Sequence, residues 1–204
     1  MLSIAVLISG GGTNLQAIID AINSGYLDDV KIKYVISDKE GAYGLERAKA
    51  EGIETYVFDR KKYKDNINEE ILKVVKGKVD LIVLAGYLSI IGSSLVENFH
   101  NRIINIHPSL IPSFCGKGMY GIKVHEAAIS YGVKVSGCTV HFVDENTDTG
   151  AIILQRTVKV EDDDTAKKLQ DRILVEEHKA LTLAIKLIAE DKVSINNRKV
   201  IIKG

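Results

Sequence analysis

The strongest constraint on the fold is an alternation. Short apolar runs rich in branched residues recur along the first half of the chain. Each is followed by a stretch whose apolar residues fall at helical spacing. The first run, Ile4-Ala5-Val6-Leu7-Ile8 within residues 3–9, stops at Ser9-Gly10-Gly11-Gly12. A continuous run of this kind, bounded by a turn, is how a parallel strand covered on both faces reads. Residues 14–24 then carry Leu15, Ile18, Ile19 and Ile22 on one helical face. The pattern repeats with strands at 30–37, 54–58, 79–85 and 102–106 and helices at 42–51, 61–76 and 90–99. This pace implies βαβ units with right-handed crossovers. The expected fold is a Rossmann-like, doubly wound, mainly parallel α/β sheet.

The second half departs from that rhythm. A helix is expected at 124–131. Strands at 135–143 and 151–160 are separated by only seven residues, too few for another crossover, so they pair antiparallel. A long helix over 164–189 follows. Residues 193–195 and 200–202 form a small hairpin around Asn196-Asn197-Arg198-Lys199. No repeat, low-complexity stretch or linker interrupts residues 1–204, which read as one domain. No apolar stretch reaches the length of a signal-peptide core or a membrane span. Cys115 and Cys138 lack metal or disulfide spacing and suit free thiols in a reducing cytosol. Lysine plus arginine is 27 and aspartate plus glutamate is 27, so the net charge is zero. That balance argues against nucleic-acid or polybasic membrane binding.

Three segments carry candidate chemistry. Ser9-Gly10-Gly11-Gly12-Thr13-Asn14 joins the first strand to the first helix. Glycines let a backbone approach a ligand, and a helix N-terminus offers free N–H groups and partial positive charge. The dinucleotide pattern fails at Leu15 and a Walker lysine is missing, so phosphate is favoured over NAD or ATP. A plain tight turn is the alternative. The second segment is Asn105-Ile106-His107-Pro108-Ser109-Leu110-Ile111-Pro112, at the carboxyl end of a strand, where open α/β sheets place ligands. Asn105 and His107 share a face by the strand period of two. An amide donates to an oxyanion, and an imidazole moves protons near neutral pH. Pro108 and Pro112, the only prolines, stiffen the chain just after this histidine. The third segment is His141-Phe142-Val143-Asp144-Glu145-Asn146-Thr147-Asp148-Thr149-Gly150, a strand running into an acidic turn with Asp144, Glu145 and Asp148. By spacing alone it suits a solvated turn better than a catalytic acid or metal ligands. Asp38 reads as a loop aspartate. The acidic run 161–164 reads as helix-end decoration, and the basic run 60–64 as a solvated face with Arg60 at a strand's carboxyl end.

These residues together resemble the formyltransferase family that uses 10-formyltetrahydrofolate. The similarity covers nearly the whole chain. It includes the stretches 8–18, 44–48 (Gly-Leu-Glu-Arg-Ala), 83–88, 104–112, 137–143, 148–150 and 153–155. Within the family, the Ser-Gly-x-Gly-Thr-Asn loop points to members whose acceptor is the amine of glycinamide ribonucleotide (GAR). The resemblance implies formyl transfer from 10-formyltetrahydrofolate to GAR, giving formyl-GAR and tetrahydrofolate in purine biosynthesis. It implies a single cytoplasmic formyltransferase domain, monomeric or homodimeric, with small-molecule substrates, no metal, no nucleic acid and no membrane.

By the same resemblance, Asn105, His107 and Asp148 are the catalytic set. Asn105 with His107 stabilises the tetrahedral oxyanion. Asp148 holds His107 and raises its pKa. GAR and its phosphate fall to Gly12, Thr13, Asn14 and Glu177. Folate falls to Arg60, Leu88, Ser89, Ile90, Ile91 and Asn105, and to Asp144, Glu145, Asn146, Thr147 and Asp148. The chain departs from the family at Leu88-Ser89, where a Met-Arg pair is frequent, so Ser89 would meet folate through its backbone. It also departs at 113–121, which replaces a shorter Pro-Gly-x-His form, although His125 matches a nearby family histidine. Methionyl-tRNA formyltransferase would need a tRNA-binding domain and a basic surface. Formyltetrahydrofolate deformylase usually carries an N-terminal regulatory domain. A phosphate-binding sensor without catalysis would not need the Asn105–His107–Asp148 set.

Overall fold

A computed structural model describes residues 1–203. The described residues form two compact units, one of residues 1–105 and 143–145, the other of residues 106–142 and the chain from 146 onward.

The first unit is the doubly wound part. Its strands are β1 (Leu2–Ile8), β2 (Val30–Ser37), β3 (Glu54–Val57), β4 (Leu81–Leu84) and β5 (Ile103–His107), the last running on into the second unit. They lie in the order β3-β2-β1-β4-β5, with each neighbouring pair parallel. The helices are α1 (Thr13–Asn23), α2 (Tyr43–Ala50), α3 (Arg60–Tyr63), α4 (Ile67–Val75) and α5 (Ser93–Asn98). Ala5 and Leu7 of β1 share a buried cluster with Ile36, Ile71, Val75, Leu95 and Ile103. Burial of each larger aliphatic side chain contributes about 1.5–3 kcal/mol. Because β1 is central, the loop after it is anchored at the middle of this sheet.

The second unit holds α6 (Ile122–Tyr131), β6 (Val135–Phe142), β7 (Ile152–Lys159), α7 (Ala166–Ala189), β8 (Val193–Asn196) and β9 (Lys199–Ile202). β6 and β7 pair antiparallel, as their short connection requires. β9 meets β7 in parallel and closes an antiparallel hairpin with β8. α7 packs on β6, β7 and α6. Its buried stripe is Leu169, Ile173, Glu177, Ala180, Leu181, Ala184 and Ile185, a helical spacing with one carboxylate set into it. The Thr165 hydroxyl caps it by accepting from Lys168 N at 3.2 Å.

Three local expectations need correction. The helix expected over 61–76 is broken into α3, a 3-10 turn at Lys64–Asn66, and α4, because Lys64 takes a φ of 47°. The helix expected over 90–99 starts only at Ser93. Asn68 takes the N–H of Gly92 at 3.0 Å and donates to the Ile90 carbonyl at 3.3 Å, so 90–92 stay outside it. Asp164 is not solvated decoration. Its carboxylate is buried and bidentate to Arg172 at 2.6 and 2.8 Å, and that guanidinium holds its pKa down to about 2.

Candidate active site

In the first unit the carboxyl ends of β1 to β4 carry the expected binding residues. The loop 9–12 leads into α1, whose cap position is Gly12 at φ 71°, a left-handed conformation that glycine adopts without strain. The Gly12 carbonyl accepts the first helical bond from Gln16 N at 2.9 Å. Gly12 offers no side chain to the N–H groups of the first turn, and that turn carries no acidic residue. Thr13 is exposed and Asn14 is buried. Around Gly10 and Gly11 the space is open; an added Cβ at either would meet nothing within 4 Å. The cradle therefore has room for an anion and a helix dipole aimed at it.

At the ends of β2 to β4, Asp38 is fully buried, unlike the loop aspartate expected there. Its Oδ2 accepts from the Ser89 hydroxyl at 2.6 Å and lies 3.9 Å from the Arg60 guanidinium. Among the described residues its Oδ1 has no hydrogen-bond partner. Burial, then the Asp38 charge, push the Tyr87 phenol well above its usual range. Ser89 thus spends its hydroxyl on Asp38 and leaves its backbone for a ligand. Leu88 and Ile90 are exposed while Ile91 is buried, so two apolar side chains remain available. The Ser9 hydroxyl accepts from Leu88 N at 2.8 Å and joins the glycine loop to this segment. Asp144 is half-buried and Glu145 exposed.

In the second unit, His107 and Asp148 come together. Asn105 lies two residues before His107 on β5. His107 Nδ1 stands 3.6 Å from Asp148 Oδ2, with both side chains nearly buried. Its Nε2 donates to the Phe114 carbonyl at 3.0 Å. Gly116 N donates to Asp148 Oδ2 at 2.9 Å. A third group, unassigned from the sequence, is His141 of β6, whose Nε2 stands 3.7 Å from Asp148 Oδ1. Its Nδ1 donates to the Phe142 carbonyl at 2.7 Å, which points Nε2 at the carboxylate. Asp148 itself holds a φ of 58°. Asn146 and Thr147 are exposed on the same turn.

The electrostatics revise one expectation. Burial is the largest influence on His107 and lowers its pKa. Asp148 acts in the raising direction and is outweighed, so the net shift is downward. For Asp148, burial pushes upward, but His141, the His107 charge and the Gly116 N–H together bring it below its usual value. The resting pair is a neutral imidazole facing a carboxylate. His125 of α6 is almost completely buried, and burial, followed by the nearby His107, lowers it to about 4.

The segment after His107 is held by residues noted in the sequence only as part of a motif. The Thr139 hydroxyl donates to the Ser109 carbonyl at 2.6 Å and accepts from Ile111 N at 3.1 Å. Gln155 Nε2 reaches the Ile111 carbonyl and Thr139 Oγ1, each at 3.1 Å. Glu177 is buried on α7, and its charge is among the influences that push the Cys138 thiol up to about 12, after burial itself. Among the described residues no group of three or more His, Cys, Asp or Glu side chains converges as metal ligands would.

The glycine loop of the first unit and the buried imidazole–carboxylate pair of the second are features of an enzyme built on a Rossmann-like sheet. The formyl transferase family model matches residues 2–185, and the chain belongs to that family. It is 41% identical over 207 residues to the phosphoribosylglycinamide formyltransferase of Haemophilus influenzae, covering 100% of this chain and 95% of that one. It is 40% identical to the chloroplastic phosphoribosylglycinamide formyltransferase of Arabidopsis thaliana, covering 93% of this chain and 66% of the relative. The chain spans only 19% and 14% of trifunctional animal relatives. The crystal structure of glycinamide ribonucleotide transformylase 1 from Symbiobacterium toebii superposes with a TM-score of 0.93 at 42% identity, covering 100% of this chain and 95% of that one.

Proposed function

We propose that this chain is a phosphoribosylglycinamide formyltransferase. It moves the formyl group of 10-formyltetrahydrofolate to the amine of GAR, as one functional domain over residues 1–204 acting in the cytoplasm. The observation that carries this reading is the buried His107–Asp148 pair in a chain of the formyl transferase family. GAR is met by Gly12, Thr13 and Asn14 at its phosphate, and Glu177 is a further GAR contact. Folate is met by Arg60, by the 88–91 segment and by the acidic turn 144–148.

The amine nitrogen attacks the formyl carbon and the carbonyl π pair moves to oxygen. The Asn105 amide donates to that oxyanion, and the His107 Nε2–H joins it after leaving the Phe114 carbonyl. Donors aimed at a developing charge stabilise it, and His107 becomes one by exchanging the Phe114 carbonyl for the oxyanion. The attacking nitrogen then carries an extra proton. Resting His107 is favoured neutral, so it has a lone pair to take that proton, relayed through water, and Asp148 stabilises the imidazolium that forms. The oxyanion collapses, the bond from formyl carbon to folate nitrogen breaks, and that nitrogen receives the proton. The products are formyl-GAR and tetrahydrofolate, and no metal is required at any step.

The test is tetrahydrofolate production by purified protein, followed optically with each substrate omitted in turn. Production only with both substrates present supports transfer. Production without GAR would identify a deformylase instead, and none with both would end the reading.

A further inference from the structure

The glycine loop does not orient itself. The Gly10 carbonyl accepts from Gly44 N at 3.0 Å, an N–H in the first turn of α2. The Gly11 carbonyl accepts from Arg47 Nε at 2.9 Å, one turn further along the same helix. Both peptide units, 10–11 and 11–12, are trans. In a planar trans peptide the C=O and N–H point in opposite directions. Two successive carbonyls turned toward α2 therefore turn the N–H groups of Gly11 and Gly12 away from it. Successive N–H groups on one side form an anion-binding concavity, here continuous with the N-terminus of α1.

Arg47 is built to hold this arrangement. Its other arm, Nη1, donates to Gln16 Oε1 at 2.9 Å, and its guanidinium lies 5.0 Å from the Tyr43 ring centre. One planar group thus spans the loop and α1. The backbone approach leaves no slack: a Cβ on Gly44 would stand 2.5 Å from Ile8 Cδ1 and 3.1 Å from Gly12 Cα.

We propose that Arg47 is a positioning residue for phosphate recognition. It acts through the Gly11 carbonyl to aim the Gly12 N–H at the phosphate of a ribose 5-phosphate ester. The proposal rests on the GAR reading for the phosphate site and its ester, and on the Arg47 and Gly44 contacts for what orients the loop.

Calorimetric titration with ribose 5-phosphate, with ribose as the uncharged control, tests it on wild type, Arg47→Ala, Arg47→Lys and Lys49→Ala. Arg47→Ala is expected to weaken ribose 5-phosphate binding about tenfold, the scale of one charge-assisted hydrogen bond. Arg47→Lys, which keeps a cation but not the planar fork, recovers part of this. Lys49→Ala removes a cation of the same helix that pairs with Glu46. It is expected to bind as wild type does. In steady state, Arg47→Ala raises the GAR KM by the same factor and leaves kcat and the folate KM unchanged. Less than about a threefold change for Arg47→Ala, an equal loss in Lys49→Ala, or a rise in both KM values overturns the proposal, since a charge-assisted hydrogen bond is worth more than that. Absence of ribose 5-phosphate binding by wild type overturns it too. Wild-type binding of ribose 5-phosphate without GAR turnover removes the GAR reading and leaves the Arg47 assignment standing.

Discussion

His107 stands under two opposed influences, burial lowering its pKa and Asp148 raising it, with burial the larger. In the proposed mechanism, loss of His107 or Asp148 changes a proton-transfer step as well as a contact. His107→Ala and Asp148→Asn are each expected to lower kcat by about two orders of magnitude or more, measured with both substrates saturating. Near-normal turnover in either variant takes that residue out of the chemistry. His125 makes a separate prediction about stability. Its pKa falls from 6.5 to about 4 on folding. Between those values the unfolded chain binds a proton that the folded chain refuses. Stability is therefore full above pH about 6.5 and declines as the pH falls toward 4, by on the order of 3 kcal/mol from this group. His107 and Asp148 are both shifted downward and act in the same sense, so acid destabilises throughout. Thermal melts of His125→Gln from pH 7 to 4.5 are expected to show a shallower decline than wild type. A decline as steep as wild type would assign the acid sensitivity elsewhere.

Among the elements, α2 closely meets the glycine loop before α1, the proposed phosphate cradle. Gly12 has a positive φ, and a Cβ there would lie 2.6 Å from Gly44 Cα. Gly12→Ala, against the Gly44 backbone, and Gly44→Ala, against the buried Ile8 side chain, should each lower stability by about 1–3 kcal/mol. Gly10→Ala, with open space around it, should melt within about 0.5 kcal/mol of wild type. Equal melting of all three variants would contradict the close approach. Elements with a clean hydrophobic period were legible in the sequence. β2 matches its expected bounds of 30–37, and the antiparallel β6–β7 pair followed from a connection too short for a crossover. The break at Lys64 was hidden because a lysine at positive φ carries no turn signature, whereas glycine or asparagine would have announced it. At the site, Asn105, His107 and the glycine loop stood out as rigid or polar residues at strand ends. Asp38 and His141 did not. Asp38 is buried against Ser89, 51 residues further on, and His141 meets Asp148 across the turn between them, contacts that no local period reveals. Glu177 left a faint trace as the one carboxylate in the buried stripe of α7.

The molecule as a whole has 27 basic and 27 acidic side chains, yet its proposed substrates are anions. The proposed cradle would use peptide N–H groups and a helix N-terminus in place of a cationic surface. Association should then owe little to long-range steering. kcat/KM for GAR is expected to fall by less than about threefold between roughly 50 and 200 mM salt, and a steep decline would indicate a cationic patch. Family membership over residues 2–185 and a buried imidazole–carboxylate pair converge on formyl transfer, and the identity of the product tests that most directly. Purified protein is incubated with GAR and 10-formyltetrahydrofolate labelled with ¹³C in the formyl carbon, and the products are read by NMR and mass spectrometry. The account predicts that the label appears as an amide carbon on GAR, in step with tetrahydrofolate. Label recovered as free formate, or left on folate while GAR is unchanged, would contradict it.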